Sequence, residues 1–218
     1  DFARKEEMDD LYCLRVRAED RAGNKTEKTV RFSVNRYGSV YVLDEDTEQW
    51  LSTSDSERIY LKEEKDVGIV EYNLDTSKNA RILINHDGEL KKLREGTDYT
   101  VEEPENERFW KKRYYRICRE NFTEEGIYTV ILNTEDRAGN IMTNTSMKKE
   151  GRNLPIVFAI DKTGPSVVLS GAEDKGQYRE SQRRIKIDAK DNLYLKKVFI
   201  SVDGETRVYE EKELRETE

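Results

Sequence analysis

The sequence predicts an all-β chain built from small two-layer sandwiches. Three observations predict it. Apolar residues alternate over short segments, turn residues divide those segments, and one block of sequence recurs at a fixed distance. Only residues 44–51, Asp-Glu-Asp-Thr-Glu-Gln-Trp-Leu, read as a helix, of about two turns.

Along the chain, Tyr12, Leu14, Val16 and Ala18 alternate with Cys13, Arg15 and Arg17, so the first set is the predicted buried face. Asp20-Arg21-Ala22-Gly23-Asn24 is a turn, with Gly supplying positive φ and Asn tolerating it. Val30, Phe32 and Val34 share the next face. Ile82-Leu83-Ile84 leads to Asp87-Gly88, a hairpin signal. Residues 109–117 alternate rings with basic side chains, which reads as a strand with a basic, solvated face. Tyr128-Thr129-Val130-Ile131-Leu132 is β-branched and bounded by Gly126 and a second Asp-Arg-Ala-Gly-Asn turn. Ile185, Ile187 and Ala189 alternate with charged residues, and Val198, Ile200 and Val202 precede Asp203-Gly204.

The repeats define the organisation. Glu19-Asp20-Arg21-Ala22-Gly23-Asn24 recurs as Glu135-Asp136-Arg137-Ala138-Gly139-Asn140, 116 positions later. Asp87-Gly88-Glu89 recurs as Asp203-Gly204-Glu205 at the same distance of 116. Phe32-Ser33-Val34-Asn35 matches Phe158-Ala159-Ile160-Asp161 at 126, so extra residues fall around 147–152, in a predicted hairpin loop. The units are therefore 1–36, the end of one repeat; 37–161, a complete repeat; and 162–218, the beginning of another. Residues 35–38 and 161–165 are the predicted linkers. Both terminal units are expected to pack poorly, because an isolated hairpin is marginal in water.

Composition fits small cores. Hydrophobic residues make up 35% of the 218 and charged residues 39%, against an ordinary charged share of about 25%. The net charge of -7 argues against nucleic acid as a partner. No apolar run is long enough to span a membrane, and no signal-peptide pattern opens the segment. Cys13 and Cys118 lack metal-type spacing and are expected unpaired.

These residues resemble a known family. The run from Tyr128 through Asp136-Arg137-Ala138-Gly139-Asn140 is similar to the late hairpin of bacterial immunoglobulin-like repeats. Asp161-Lys162-Thr163-Gly164-Pro165 is similar to their linker into the next repeat. The resemblance implies tandem immunoglobulin-like β-sandwiches, one complete and two partial. It implies a non-catalytic segment of a cell-surface or secreted protein of Gram-positive bacteria, extracellular or on the cell wall, acting as stalk or spacer and in adhesion. A glycan- or protein-binding module, or an accessory domain of a large extracellular enzyme, is the alternative. The implied partners are neighbouring repeats of the same chain, with a host protein or glycan as further candidates. At about 125 residues the complete unit exceeds the ~100 of a plain immunoglobulin sandwich, so 44–65 and 102–113 hold insertions or extra strands.

Candidate sites follow from residue chemistry. No catalytic group is expected. The only histidine, His86, sits at a hairpin end without a nucleophile and orienting acid to form a relay. The carboxylates around Pro104 lack the cleft that a glycosidase needs. No phosphate-binding glycine loop occurs. Calcium is the one ion considered. Asp20 and Asp136 are its candidates, with Asp44, Asp46 and Glu48 as a second cluster. The preferred reading is that Asp20 and Asp136 close their own turns. Trp50, Trp110, Tyr114 and Tyr115 are the candidate ligand contacts, as surface aromatics that stack on sugars or anchor a protein. A basic strip from Lys111 to Arg119 could instead meet an anionic polymer, but a solvated strand face is preferred. Asn24, Asn121 and Asn144 each open an N-x-[ST] sequon, where glycosylation is not expected in a bacterial chain.

Overall fold

A computed structural model describes residues 10–34, 39–51, 58–72, 80–103, 112–135, 139, 141–145, 154–210 and 213. The chain falls into two units, Asp1–Ile160 and Asp161–Glu218. Strands dominate both, with one α-helix in the first. The expected linker at 35–38 lies outside the described residues.

The first unit opens with a hairpin of β1 (Asp10–Glu19) and β2 (Lys25–Val34), paired along their whole length. Two further sheets follow. One runs β3 (Val40–Leu43), β5 (Val67–Tyr72), β9 (Lys112–Ile117), β8 (Tyr99–Glu102) in spatial order. The other runs β4 (Ile59–Leu61), β12 (Ile156–Ile160), β10 (Gly126–Glu135), β6 (Arg81–His86), β7 (Glu89–Lys92), and β11 (Ile141–Thr143) also pairs with β10. All these pairs are antiparallel except β4 with β12, which is parallel. Ile69 and Tyr115 of one sheet and Ile84, Val130 and Phe158 of the other belong to a single hydrophobic core.

β10 is the spine of that core. Its burial alternates without a break, so Tyr128, Val130, Leu132 and Thr134 point inward, as the sequence pattern predicts. Tyr128, Phe122 and Phe158 meet at 5.1–5.7 Å, edge-on or stacked, where aromatic contacts are favourable. Asp87 (φ 48°) and Gly88 (φ 97°) form the tight turn between β6 and β7, as the Asp-Gly pair requires.

The helix α1 (Glu45–Leu51) forms where the sequence predicts it. Asp44 is its N-cap: Thr47 N–H donates to Asp44 Oδ1 at 2.8 Å. Glu45, Asp46 and Glu48 in the first turn suit the positive end of the helix dipole. Gly68 lies against this cap. Its N–H donates to Thr47 Oγ1 at 2.7 Å, and an added Cβ would come within 1.8 Å of Asp44 Oδ2. Gly68 is needed for space here rather than for backbone freedom.

The strand that returns along β10 is split. β1 and β2 pair continuously from Glu19↔Lys25 to Tyr12↔Phe32. At the equivalent places Glu135 pairs with Ile141 on β11 and Tyr128 with Phe158 on β12, so the returning strand is in two pieces; residues 147–152, where the predicted hairpin loop falls, lie outside the described residues. Asn144, 1% exposed, bridges the gap. Its Oδ1 accepts from Leu132 N–H at 2.8 Å, and its Nδ2 donates to Val130 O at 3.0 Å and Leu154 O at 3.2 Å. One side chain thus replaces ladder bonds that the insertion removes, because buried backbone groups must be satisfied.

The hairpin itself corrects one expectation. Leu14, Val16 and Val30 belong to the predicted buried face, yet they are 54%, 54% and 55% exposed. Alternation marks which face can be buried, whereas burial needs a second sheet, and none covers this face among the described residues. In the second unit β13 (Ser166–Ser170) pairs with β14 (Lys186–Lys190), and β15 (Lys197–Val202) with β16 (Glu205–Glu210). Asp203 and Gly204 make the same tight turn as Asp87 and Gly88. Val167, Val168, Leu169 and Phe199 are all at least 60% exposed.

Candidate functional site

The expected contact residues separate into different environments. Trp50 is 8% exposed and meets Phe158 edge-on at 5.3 Å, because α1 lays its ring on the core. Tyr115 is 1% exposed, on the inward face of β9. Neither is a surface contact, which corrects the expectation for both. The cause is the phase of β9: Tyr115 and Ile117 face inward, so Tyr114 takes the outer face. Tyr114 is half-buried, with Lys112 Nζ 5.1 Å from its ring centre. Trp110 lies outside the described residues. Tyr114 is therefore the described candidate for an aromatic contact.

The basic strip on β9 is matched by acids. Arg113 Nε donates to Glu103 at 2.7 Å and Arg116 Nε to Asp66 at 2.9 Å. Asp66 also accepts from Arg119 N–H at 2.9 Å. Such pairing leaves no uncompensated run of arginine for an anionic polymer along this strand.

Asp20 closes its own turn. Its Oδ1 accepts from Ala22 N–H and Asn24 N–H, both at 2.9 Å, and its Oδ2 accepts from Asn24 Nδ2 at 2.7 Å. The Asn24 bonds hold its carboxyl below the usual range. Asp136, the second calcium candidate, lies outside the described residues. Asp44 caps α1, and Asp46 and Glu48 are exposed on that helix. Among the described residues no three His, Cys, Asp or Glu side chains cluster in a way that could hold a metal ion.

His86 stacks on Tyr128, ring centres 4.3 Å apart, with Nε2 3.0 Å from Glu125 O. Asp87 Oδ1 accepts from Ile127 N–H at 2.9 Å in the same corner. The Tyr128 hydroxyl donates to Glu124 O, four residues upstream, at 2.9 Å. Burial pushes that phenol up to about 12. These bonds fix the loop entering β10 and present no nucleophile.

A polar network that the sequence analysis missed lies inside the core. Glu71 is 2% exposed. Its carboxylate accepts from Tyr115 Oη at 2.6 Å and from Ser39 Oγ, with Arg113 Nη1 at 3.9 Å. Thr134 Oγ1 donates to Ser39 Oγ at 3.1 Å and bonds the Tyr41 hydroxyl, which donates to Met142 O at 3.2 Å. Burial raises both phenols, Tyr41 and Tyr115, with Glu71's charge adding to the effect. The network ties β3, β5 and β9 to β10, and so links the two sheets. Its only sequence signal is a Glu on the apolar face of β5, a buried charge that must find donors.

Asn144 has its amide committed inside the fold, as described above, and is closed to a glycan. Asn121 Nδ2 donates to Asp98 O at 2.7 Å. Cys13 is exposed and Cys118 half-buried, both unpaired.

No helix among the described residues is long and apolar enough to cross a membrane. No family model matches the chain, and no curated protein matches it. Among solved structures, one similar chain is a calcium-stabilised adhesin that helps an Antarctic bacterium reach out and bind ice. It is 10% identical, with a TM-score of 0.26, over 92% of this chain and 45% of that one. A likeness at that score carries no argument about this chain's fold or partners.

Proposed function

We propose that the chain is a non-catalytic segment of tandem immunoglobulin-like β-sandwiches from a bacterial cell-surface or secreted protein, serving as a stalk or spacer in adhesion. The units are 1–36, 37–161 and 162–218. One observation carries this reading: strand register repeats along the chain. β1 begins and ends 116 positions before β10, and β15 begins and ends 116 positions after β6. The stacked pair Tyr12–Phe32, at 5.4 Å, has the same place in its hairpin as Tyr128–Phe158, at 5.7 Å. Repeated units that contact only their neighbours suit a spacer.

Two features support the immunoglobulin-like assignment. The orders β3-β5-β9-β8 and β12-β10-β6-β7 correspond to ABED and GFCC′ of that sandwich. Tyr128, whose hydroxyl returns to Glu124 O at the start of β10, matches the tyrosine corner of the F strand. The polar network at Ser39 and Glu71 anchors the first described residue after 35–38 to the core, which suits a chain that carries tension.

Stretching the whole chain by force spectroscopy tests the reading. The expected result is one resisting step that releases residues 39–160 together. Smooth extension without such a step overturns the stalk assignment. Tyr114 favours a second reading, a glycan- or protein-binding face. Capture on a glycan or host-protein array that is lost in Tyr114→Ala would establish it, and a blank array removes it.

A further inference from the structure

We infer that the outward face of the β12–β10–β6–β7 sheet docks another protein, one that presents aliphatic side chains beside a pair of carboxylates. Register defines the face. Val157, Thr129, Asn85 and Leu90 form one row across the four strands, Ile131, Leu83 and Lys92 the next, and Asn133 and Arg81 a third. These residues alternate along their strands with core residues: Val130, Leu132, Ile82 and Ile84 are at most 2% exposed. The rows therefore point away from the core. An antiparallel sheet with one face in solvent turns polar residues outward as a rule. Here Ile131 and Leu83 face each other, half-buried, with Val157 and Leu90 one row away on either side, and Leu90 is 64% exposed. Apolar surface of this kind, rimmed by polar groups, marks contact with another protein.

The preceding repeat shows that the fold does not require it. Arg15 stands 116 positions before Ile131, and Arg31 stands 126 positions before Val157, at the same places in the β1–β2 hairpin. Both arginines are exposed. A contact that each repeat makes with its neighbour would not exchange isoleucine and valine for arginine. Packing of the repeat array therefore does not account for the patch.

Charge identifies the partner. Arg81 and Lys92 flank Leu83 at one corner of the face, both exposed. Among the described residues neither has a hydrogen bond or an ion pair, and Glu135, the next outward acid on β10, reaches neither. Elsewhere such cations are matched. Lys197, 116 positions after Arg81, has Glu210 at 2.9 Å, and Arg116 of the other sheet has Asp66 at 2.9 Å. Covering two unmatched cations with a purely apolar partner would cost desolvation energy, so the partner must bring carboxylates. A second copy seated face to face would gather four cations in one contact and fits worse. The three rows carry no aromatic ring on which a sugar could stack. The face is also separate from Tyr114, which lies on β9 of the other sheet.

Binding of the whole chain to an array of short peptides tests this. The peptides share an alternating aliphatic pattern and end in a pair of glutamates, glutamines or lysines. The glutamate series should bind at least about tenfold more tightly than the glutamine series, and added salt should weaken that binding. Lys92→Glu should weaken it at least about tenfold, and so should Ile131→Arg, which copies the preceding repeat. Lys92 is exposed, so the thermal transition of the two-sheet core should stay in place in Lys92→Glu. Capture of no peptide, equal capture of all three series, or binding that Lys92→Glu leaves unchanged overturns the proposal. Binding lost in Tyr114→Ala would move the contact to the other sheet and overturns it as well. So does a mass that rises with concentration in light scattering and returns to monomer in Ile131→Arg, because that assigns the face to a second copy.

Discussion

β1 and β10 are the same strand by sequence and different strands by environment. Both are ten residues long, both carry a tyrosine at the third position, and both stack it on a phenylalanine across the hairpin. Yet Val130 is 0% exposed where its counterpart Leu14 is 54%. Alternation decides which face of a strand is fit for burial. A second sheet decides whether it is buried, and among the described residues β10 has one where β1 does not.

The largest test of that contrast is truncation of each core face. Phe158→Ala should cost about 3–5 kcal/mol in denaturant unfolding of the two-sheet core, since it empties a fully buried aromatic cluster. Leu14→Ala, measured in dilute solution, should stay within about 0.5 kcal/mol, as surface substitutions do. Equal losses would break the comparison.

Next come two places where the core uses a particular residue. Gly68→Ala should cost about 1–3 kcal/mol, because the methyl group must displace the Asp44 cap. Gly23 offers the contrast: at φ 87° an added methyl strains its own hairpin turn but meets no neighbour, so Gly23→Ala should leave the core transition in place. Asn144→Ala should cost about 1–3 kcal/mol for each backbone group it leaves without a partner. β2, which is unbroken, has no counterpart to this bridge. If Asn144→Ala is silent, the insertion is satisfied some other way.

The smallest expected effect is on acid stability. Asp98 Oδ2 accepts from Arg94 N–H at 2.8 Å, and this bond holds the carboxyl below its usual value. Such a group contributes stability at neutral pH that is lost as pH falls through its folded-state value, below about 3.9. In Asp98→Asn the acid limb of the unfolding curve should flatten below that pH. An unchanged limb would mean that this turn does not contribute.

The comparison also explains what could be read from sequence. The β10 face, the Asp-Gly turns and the short helix at Asp44 were all legible, because each depends on local periodicity or turn chemistry. The split of the returning strand into β11 and β12 was legible from the change in repeat spacing, from 116 to 126. Its repair by Asn144 was not, since nothing local distinguishes that Asn from any other in a sequon. Trp50 and Tyr115 read as surface aromatics because they stand in charged stretches, Asp44 to Glu48 and Lys111 to Arg116. Burial by residues distant in sequence decided otherwise. Glu71 was missed for the same reason: its partners Ser39 and Tyr115 lie 32 and 44 residues away.

Residue-resolved amide hydrogen exchange in dilute solution tests the central contrast most directly. Amides of β6, β10 and β12 should exchange only with global unfolding, whereas those of β1 and β15 should exchange orders of magnitude faster. Protection of β1 equal to that of β10, at a concentration where the chain is monomeric, would contradict the account.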